Sequence, residues 1–283
     1  MLTQDLLTLF SKYGKKEATV YQNTAASPRA VLFYFHGGGL LYGTRDDLPD
    51  EHIHFLTDSG LMIIACDYPL APAVGIEDII TDAESSVCEL YSRFCTVDEQ
   101  HPLPYFLWGR SAGAYLCLLM AVRSSHIPPC RGVISYYGYG LLTDGWFDLP
   151  NTFYTSLPTV DPGCIDHISS QTLMCGSLDT CYSLYVYARQ TGKWFQMISK
   201  CPAKQFYRDY TLRLSQDFPV PLFCAHSLHD PDVPFAEFQA LTAKYPVQKY
   251  IAVSKQHDFD RSASQSMLHD LLISTLNFID HHI

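Results

Sequence analysis

The chain has 283 residues, of which 47% are apolar, and its 29 acidic and 19 basic residues give a formal net charge of −10. This length suits one large α/β domain or two small ones. The acidic balance argues against nucleic acids and anionic membrane surfaces as partners, and the longest apolar run, residues 115–122, is too short to cross a bilayer.

The N-terminal residues do not place a basic region ahead of an apolar one, as a secretory signal would. The ten cysteines are scattered along the chain, and none forms a C-x-x-C motif. In a chain of this size without a signal, that pattern is typical of reduced and mostly buried thiols rather than of disulfides. The sequence therefore predicts a cytoplasmic protein.

Along the chain, a short amphipathic helix is predicted over residues 1–14, followed by an extended stretch around residues 18–21. Downstream, fully apolar segments alternate with helical patterns. The predicted strands cover residues 30–35, 61–66, 105–108, 133–137, 221–225 and 249–253, and the predicted helices cover residues 50–59, 76–94, 112–123, 235–244 and 264–279. This alternation is typical of an α/β fold with a mostly parallel sheet covered by helices on both faces.

Residues 141–215 interrupt the alternation. This segment contains Trp146, Trp194 and the tyrosine-rich run 182–187. Its aromatic content exceeds that of the whole chain only slightly, so packing is the default interpretation for each ring. The sequence predicts an insertion above the sheet rather than a separate domain.

The run Gly109-Arg110-Ser111-Ala112-Gly113 directly follows one predicted strand and directly precedes a predicted helix. By itself, the five-residue pattern is as typical of a serine in an ordinary turn as of a nucleophilic serine. A serine between strand and helix, however, is held with its hydroxyl exposed where an acyl group can reach it. The context therefore favours Ser111 as a nucleophile.

A glycine triplet follows the first core strand in His36-Gly37-Gly38-Gly39. Backbone N–H groups that no side chain shields can point at a developing oxyanion, although a flexible turn would use the same residues. The triplet ends a strand expected to lie beside the Ser111 strand, which favours the oxyanion interpretation. The N–H of Ala112, at the start of the next helix, is a second candidate donor.

A nucleophilic serine needs a base, and the base needs an acid that fixes its tautomer. Asp230 follows the predicted strand 221–225, and His257 follows the predicted strand 249–253. Serine, acid and histidine thus occur in the order expected at the carboxyl ends of successive strands. Asp232 remains an alternative acid, although it could instead cap the next helix.

Other titratable residues near these positions are weaker candidates. His226 and His229 lie on the loop of the acid itself, so we prefer His257 as the base. Asp258 and Asp260 are interpreted as turn or cap residues.

No metal or cofactor is predicted. The pairs His52-x-His54 and His281-His282 have no convergent third ligand in the sequence. We therefore interpret them as solvent-exposed histidines rather than as zinc ligands.

Taken together, five motifs in order resemble the α/β-hydrolase fold and, more narrowly, the hormone-sensitive-lipase-like carboxylesterases. They span residues 30–260 and are His36-Gly37-Gly38-Gly39, Asp67-Tyr68-Pro69-Leu70-Ala71-Pro72, Gly109-Arg110-Ser111-Ala112-Gly113, Asp230-x-x-Val233-Pro234 and His257-Asp258-Phe259-Asp260. The set is far more specific than any one motif.

The resemblance implies a single α/β-hydrolase domain over residues 1–283 with a cap insertion at about 141–215. It implies catalysis by Ser111 as nucleophile, His257 as general base and Asp230 as its partner. It also implies an oxyanion hole formed by Gly38, Gly39 and Ala112, with Gly37 as an alternative donor.

The chain also departs from the family pattern. Arg110 stands where the family has an acidic residue, Pro69 replaces the usual arginine, and Ala114 follows where a second glycine is usual. None of these positions belongs to the triad, but they remove the basis for carrying over a substrate preference.

The resulting hypothesis is hydrolysis of small-molecule carboxylic esters, with short acyl chains preferred, through a covalent acyl-enzyme. A peptidase, amidase or thioesterase on the same scaffold is the nearest alternative, because the pocket rather than the triad decides the leaving group. A non-catalytic ligand-binding protein is the alternative from another class. The sequence leaves the oligomeric state open, a homodimer included.

Overall fold

The computed structural model describes residues 1–98, 100–170, 173–212 and 217–283. Residues 171, 172 and 213–215 of the predicted insertion lie outside the described residues. Within the described part, eight strands form one sheet in the order β1-β2-β4-β3-β5-β6-β7-β8. The strands are β1 (Leu2–Ser11), β2 (Gly14–Asn23), β3 (Ala30–Phe35), β4 (Leu61–Cys66), β5 (Tyr105–Arg110), β6 (Val133–Tyr136), β7 (Leu222–Ser227) and β8 (Gln248–Ala252).

Strands β3 to β8 pair in parallel, whereas β1 pairs antiparallel with β2 and β2 antiparallel with β4. The predicted strands 30–35 and 61–66 occur at the same residues as β3 and β4. The predicted α/β fold with a mostly parallel sheet is therefore confirmed.

Helices cover both faces of this sheet. Those outside the segment between β6 and β7 are α1 (Asp50–Asp58), α2 (Ile76–Leu90, continued by a π turn at Tyr91–Cys95), α3 (Ala112–Val122), α9 (Phe235–Lys244) and α10 (Gln265–His282). Alternate strand residues such as Val31 and Phe33 face the α2, α3 and α9 side, while Leu32 and Tyr34 face the α1 and α10 side. Burial on both faces explains why the strands are continuously apolar.

The predicted helix over residues 1–14 is wrong, because β1 and β2 form a hairpin there. Strand β2 pairs with β4, placing Val20 opposite Ile64 and Ala18 opposite Cys66. Both β2 side chains are buried in this position. Pairing with the sheet thus outweighs the weak helical pattern of the segment, as strand formation depends strongly on its neighbours.

The segment between β6 and β7 contains five α-helices in its described residues. They are α4 (Thr152–Thr155), α5 (Pro162–Ser169), α6 (Leu178–Thr191), α7 (Trp194–Ile198) and α8 (Ala203–Asp209). We call residues 141–212 the inserted segment. Its role as a cap stays a prediction.

The parallel strands bring their carboxyl ends to one edge of the sheet, where open α/β sheets bind ligands. Ser111 follows β5, the loop with Asp230 follows β7, and the loop with His257 follows β8. The glycine triplet 37–39 follows β3 at the same edge. In the described part of the chain, no helix combines the length and apolar character needed to cross a membrane.

Candidate active site

Ser111 occupies a sharp turn between β5 and α3. Its φ of 52° and ψ of −117° lie in a region that non-glycine residues rarely adopt, so the turn is strained. The Ser111 N–H donates to the carbonyl of Tyr136 over 2.9 Å, which helps to hold this conformation. A Cβ at Gly113 would lie 2.0 Å from the Phe35 carbonyl oxygen, so the helix can approach the sheet only with glycine there.

The side chains of Ser111, His257 and Asp230 form one hydrogen-bonded chain. His257 Nε2 lies 2.8 Å from Ser111 Oγ, and His257 Nδ1 lies 2.7 Å from Asp230 Oδ2. Because a carboxylate only accepts hydrogen bonds, the neutral imidazole carries its proton on Nδ1, which donates to Asp230, and its Nε2 is left to accept from the serine hydroxyl. This arrangement allows the imidazole to take a proton from Ser111.

The protonation of the His257 imidazole depends on the two nearest carboxylates, Asp230 and Asp232. Burial alone would lower the pKa of His257, but Asp230, with a smaller effect from Asp232, raises that pKa to about 9. Burial opposes ionisation of Asp230, yet the His257 imidazole holds the pKa of this carboxyl below its usual value. The second oxygen, Asp230 Oδ1, accepts from the N–H groups of Asp232 and Val233 over 2.8 and 3.0 Å.

The alternative acid, Asp232, has different contacts. Its Oδ2 accepts from Tyr185 over 2.7 Å and from Tyr154 over 3.1 Å, and its Oδ1 accepts from Arg189 Nε over 3.1 Å. It does not cap α9, whose preceding residue is Pro234. Asp232 therefore ties the inserted segment to the loop of Asp230, and its Oδ2 stays 4.0 Å from His257 Nε2.

The two other candidate histidines do not contact Ser111, and His226, which the sequence placed on the loop of the acid, lies within β7. The ring of His226 is buried, its Nε2–H donates to the carbonyl of Val233 over 3.1 Å, and burial lowers its pKa. His229 is exposed. These positions leave His257 as the imidazole in contact with the serine.

The glycine triplet presents donors beside Ser111. Within the described part of the chain, the N–H groups of Gly38 and Gly39 make no hydrogen bond. Gly38 has a φ of 103°, which disfavours any residue with a side chain. The N–H of Ala112 is the first of α3 and has no acceptor within that helix. Three backbone donors are thus available near the serine.

Side chains on two sides fix this glycine loop. The hydroxyl of Tyr68 donates to the carbonyl of His36 over 2.9 Å, and the two rings stack with centroids 4.2 Å apart. From the inserted segment, Trp194 Nε1–H donates to the carbonyl of Gly39 over 2.8 Å. A carbonyl held by Trp194 keeps the peptide plane of the loop from rotating.

Next to the serine, one interpretation from the sequence is wrong and another is incomplete. His52 was expected to be exposed but is fully buried, with Nε2 3.0 Å from Asp260 Oδ2. Asp260 lies in a turn, as the sequence indicated, but it is also the buried counter-charge of Arg110, whose Nη2 lies 2.9 Å from Asp260 Oδ1. The physical reason is that α1 packs on the sheet with His52 facing inward, above the end of β5.

The sequence analysis missed a further buried carboxylate, Glu237 at the start of α9. It accepts from the N–H groups of Gly140, Leu141, Leu142 and Thr143 over 2.7–3.0 Å. Glu237 thereby anchors the beginning of the inserted segment. A glutamate on a helix carries no local signal of such a role, because its partners lie more than 90 residues away.

A pocket of about 750 Å³ opens above Ser111 and His257. One wall carries aromatic rings, mostly from the inserted segment, and these are Tyr42, Phe153, Tyr154, Tyr182 and Tyr185. The lining also includes charged side chains, namely Asp47, Lys255, Asp258 and Arg261. In the described residues, no group of three His, Cys, Asp or Glu side chains could hold a metal ion.

Comparison with known proteins gives one family. A family model described as the alpha/beta hydrolase fold matches residues 32–190. Among curated proteins, a non-reducing polyketide synthase, adrD, of Penicillium roqueforti is 25% identical over 144 residues. That match covers 45% of this chain, and the chain spans only 6% of the synthase.

Solved structures resemble this chain over nearly its whole length. A protein of unknown function from Staphylococcus aureus has a TM-score of 0.87 at 27% identity, with 98% of this chain and 99% of that chain covered. The carboxylesterase EstE1, cloned from a metagenomic library, has a TM-score of 0.68 at 16% identity, with 99% and 90% covered. The second likeness concerns the fold alone.

Proposed function

The chain belongs to the α/β-hydrolase family, and we propose that it is a serine hydrolase that cleaves carboxylic esters of small molecules. The observation that carries this proposal is the hydrogen-bonded chain from Asp230 through His257 to Ser111, with lengths of 2.7 and 2.8 Å. A serine hydroxyl alone is a weak nucleophile and becomes reactive when an adjacent imidazole accepts its proton.

In the first half of the reaction, His257 Nε2 takes the proton of Ser111 while Oγ attacks the ester carbonyl carbon. The carbonyl oxygen becomes an oxyanion in a tetrahedral intermediate. His257, now protonated, gives its proton to the leaving alkoxide, so an alcohol departs and an acyl-serine remains. Asp230 stays ionised throughout and stabilises the imidazolium.

The oxyanion of this intermediate would accept hydrogen bonds from Gly38, Gly39 and Ala112. Donors arranged before the reaction need not reorganise when the charge develops, which is why such sites contribute strongly to rate. The partial positive charge at the start of α3 acts in the same direction. Loss of one such donor typically costs about 10²–10³-fold in turnover.

In the second half, water replaces the alcohol. His257 takes a proton from this water, whose oxygen attacks the acyl carbon of the acyl-serine, and the same donors hold the second oxyanion. Collapse returns the proton from His257 to Ser111 Oγ and releases a carboxylic acid. The chain's own residues supply every proton transfer in this sequence.

Esters with short acyl chains are the substrates we propose. Support comes from the bulky rings of Tyr154, Tyr182 and Tyr185, which line the same pocket as Ser111 and take up space that a long acyl chain would need. A series of p-nitrophenyl esters of increasing acyl length, run beside matched anilides and thioesters, tests this. Faster cleavage of anilides or thioesters than of esters would favour the peptidase, amidase or thioesterase alternative.

The decisive experiment uses a fluorescent fluorophosphonate, which forms a covalent bond with an activated serine. We expect labelling of the wild-type protein and none of Ser111→Ala, together with a loss of ester hydrolysis of at least about 10³-fold. Ser92→Ala, at an exposed serine after α2, serves as the matched control and should label normally. An unlabelled wild-type protein would instead favour a non-catalytic ligand-binding protein.

A further inference from the structure

Arg110 directly precedes Ser111 yet does not reach solvent, since only 1% of its side chain is exposed. Its Nη2 lies 2.9 Å from Asp260 Oδ1. Asp260 is fully buried and stands three residues after His257 on the loop that follows β8. One ion pair thus joins the turn of the nucleophile to the loop of the base.

Tyr137, which directly follows β6, contacts both partners of this ion pair. Arg110 Nε–H donates to the Tyr137 hydroxyl over 2.5 Å, and that hydroxyl donates to Asp260 Oδ1 over 3.0 Å. The Tyr137 ring also packs edge-on against the ring of His257, with centroids 4.8 Å apart. The hydroxyl end of Tyr137 is therefore fixed by the ion pair, and its ring forms a wall for the imidazole.

The surrounding groups keep this cluster ionised. Although burial opposes ionisation, Arg110 and His52 hold the pKa of Asp260 well below its usual value. Arg110 Nη1 also lies 3.6 Å from Asp47 Oδ2 and donates to the Asp47 carbonyl over 3.3 Å. A buried charge destabilises the folded state unless it is paired with an opposite charge, and every charge named here has such a partner.

The loop of His257 needs such a support. It connects β8 to α10 without regular secondary structure, and its neighbours Lys255, Gln256 and Asp258 are exposed. A hydrogen bond to Asp230 fixes one atom of the imidazole but does not by itself fix the backbone that carries it. Asp260 and the Tyr137 ring supply contacts on the remaining sides.

We propose that Arg110, Asp260 and Tyr137 are positioning residues, which set the distance and orientation of His257 relative to Ser111. The inference rests on the proposed function, because it concerns the serine and histidine of that reaction. Arg110 and Tyr137 are among the residues that line the pocket, but the role proposed for them does not require contact with the substrate. Their effect should fall on turnover, since a misplacement of about 1 Å can cost about 10²-fold in rate.

The test measures kcat and KM with p-nitrophenyl acetate and the rate of fluorophosphonate labelling. Arg110→Met should lower kcat about 10²-fold, and Tyr137→Phe about tenfold, while KM stays within about threefold. Arg110→Lys should recover only part of the loss, because an ammonium cannot hold Asp260 and Tyr137 in one planar fork. The double variant Arg110→Met/Asp260→Asn should lose no more kcat than Arg110→Met, because both changes break the same ion pair between Arg110 and Asp260.

A matched control removes another buried ion pair. Lys16 of β2 pairs with Asp82 of α2, and neither residue lines the pocket. Lys16→Met/Asp82→Asn should therefore lower thermal stability but leave kcat unchanged. This control separates loss of position at the site from general loss of folded protein.

The outcomes distinguish the two proposals. If the probe does not label the wild-type protein, the proposed function fails and this inference fails with it. If the wild-type protein is labelled at Ser111 but Arg110→Met and Tyr137→Phe keep its kcat, only this inference is overturned. Tyr137→Phe removes one oxygen atom and keeps the ring, so it provides the test even where Arg110→Met does not fold. Equal losses of kcat in the Lys16→Met/Asp82→Asn control would also overturn it.

Discussion

The sheet edge and the inserted segment contribute to the site in different ways. The edge carries Ser111, Asp230 and His257, all on turns or loops that directly follow parallel strands. The inserted segment carries most of the aromatic wall of the pocket, from α4 and α6. The proposed catalytic residues thus lie at the edge of the buried sheet, whereas most of the aromatic residues that would surround a substrate lie on α4 and α6.

Two buried carboxylates form part of the attachment between the two regions. The carboxylates that hold the inserted segment, Asp232 and Glu237, belong to the sheet side, and the inserted segment supplies the donors that they accept. The proposed catalytic residues and most of the aromatic pocket residues thus lie on different parts of the chain. From this we expect changes at the sheet edge to alter turnover and changes in the segment to alter stability or selectivity.

The largest effect is expected when Asp230 is replaced by Asn. The amide would favour the wrong tautomer of His257, so kcat should fall by about 10⁴-fold with little change in KM. Steady-state kinetics with p-nitrophenyl acetate measures this.

Asp232→Asn is the contrasting change on the same loop. It leaves Arg189 without its buried counter-charge, which typically costs about 3–5 kcal/mol of folding free energy. Chemical denaturation should register this loss, while kcat falls far less than in Asp230→Asn. A larger loss of kcat in Asp232→Asn than in Asp230→Asn would reverse the assignment of the acid.

The pH profile should show the next largest effect. His257 must be neutral to accept the serine proton, and its pKa is raised to about 9. kcat/KM should therefore rise with pH, reach half its maximum near pH 9 and lie about 10²-fold lower at pH 7.

The same shift bears on stability. Because folding raises this pKa, the folded state holds the His257 proton more tightly than the unfolded state does. The resulting stabilisation is complete below about pH 6.5 and disappears as the pH rises through 9. Asp258→Asn, at an exposed carboxyl that contributes to the raised pKa, should move the kinetic midpoint downward; an upward movement would contradict the electrostatic explanation.

Trp194 is an exception to the division between the two regions, because it belongs to the inserted segment but donates a hydrogen bond to the glycine loop. Trp194→Phe removes the donor to the Gly39 carbonyl, and a buried unpaired carbonyl typically costs about 1–3 kcal/mol. Because that carbonyl belongs to the loop of the proposed oxyanion donors, kcat should also fall about tenfold. Trp146→Phe is the matched control, since Glu237 keeps its other donors, and it should leave kcat unchanged.

The smallest effect on turnover is expected from Tyr182→Ala in α6. Removal of this ring enlarges the pocket wall, so the ratio of kcat/KM for a hexanoyl ester to that for an acetyl ester should rise about tenfold. Turnover of the acetyl ester should stay within about twofold. Tyr187→Ala, on the same helix but outside the pocket, should leave the ratio unchanged; a similar rise there would assign the effect to the helix as a whole.

Much of the fold could be predicted because its signals are local. The strands 30–35 and 61–66 and the helix 235–244 occur at their predicted bounds, since each is a periodic or continuous apolar run between turn residues. Strand β5 instead continues to Arg110 beyond its predicted end at Trp108. Its last two residues pair with Ser135 and Tyr136 of β6, and that pairing has no local signal.

The sequence by itself determined which residues follow the strands at the carboxyl edge of the sheet, because strands and turns are recognised from short local patterns. Only the tertiary structure decided how the buried charges are paired. Arg110 meets Asp260 across 150 residues, and Glu237 meets Leu141 across 96. Burial makes such contacts necessary, because a charge removed from water is destabilising unless it is paired. The partner is a residue that packing brings close, and the local sequence pattern does not indicate which residue that is.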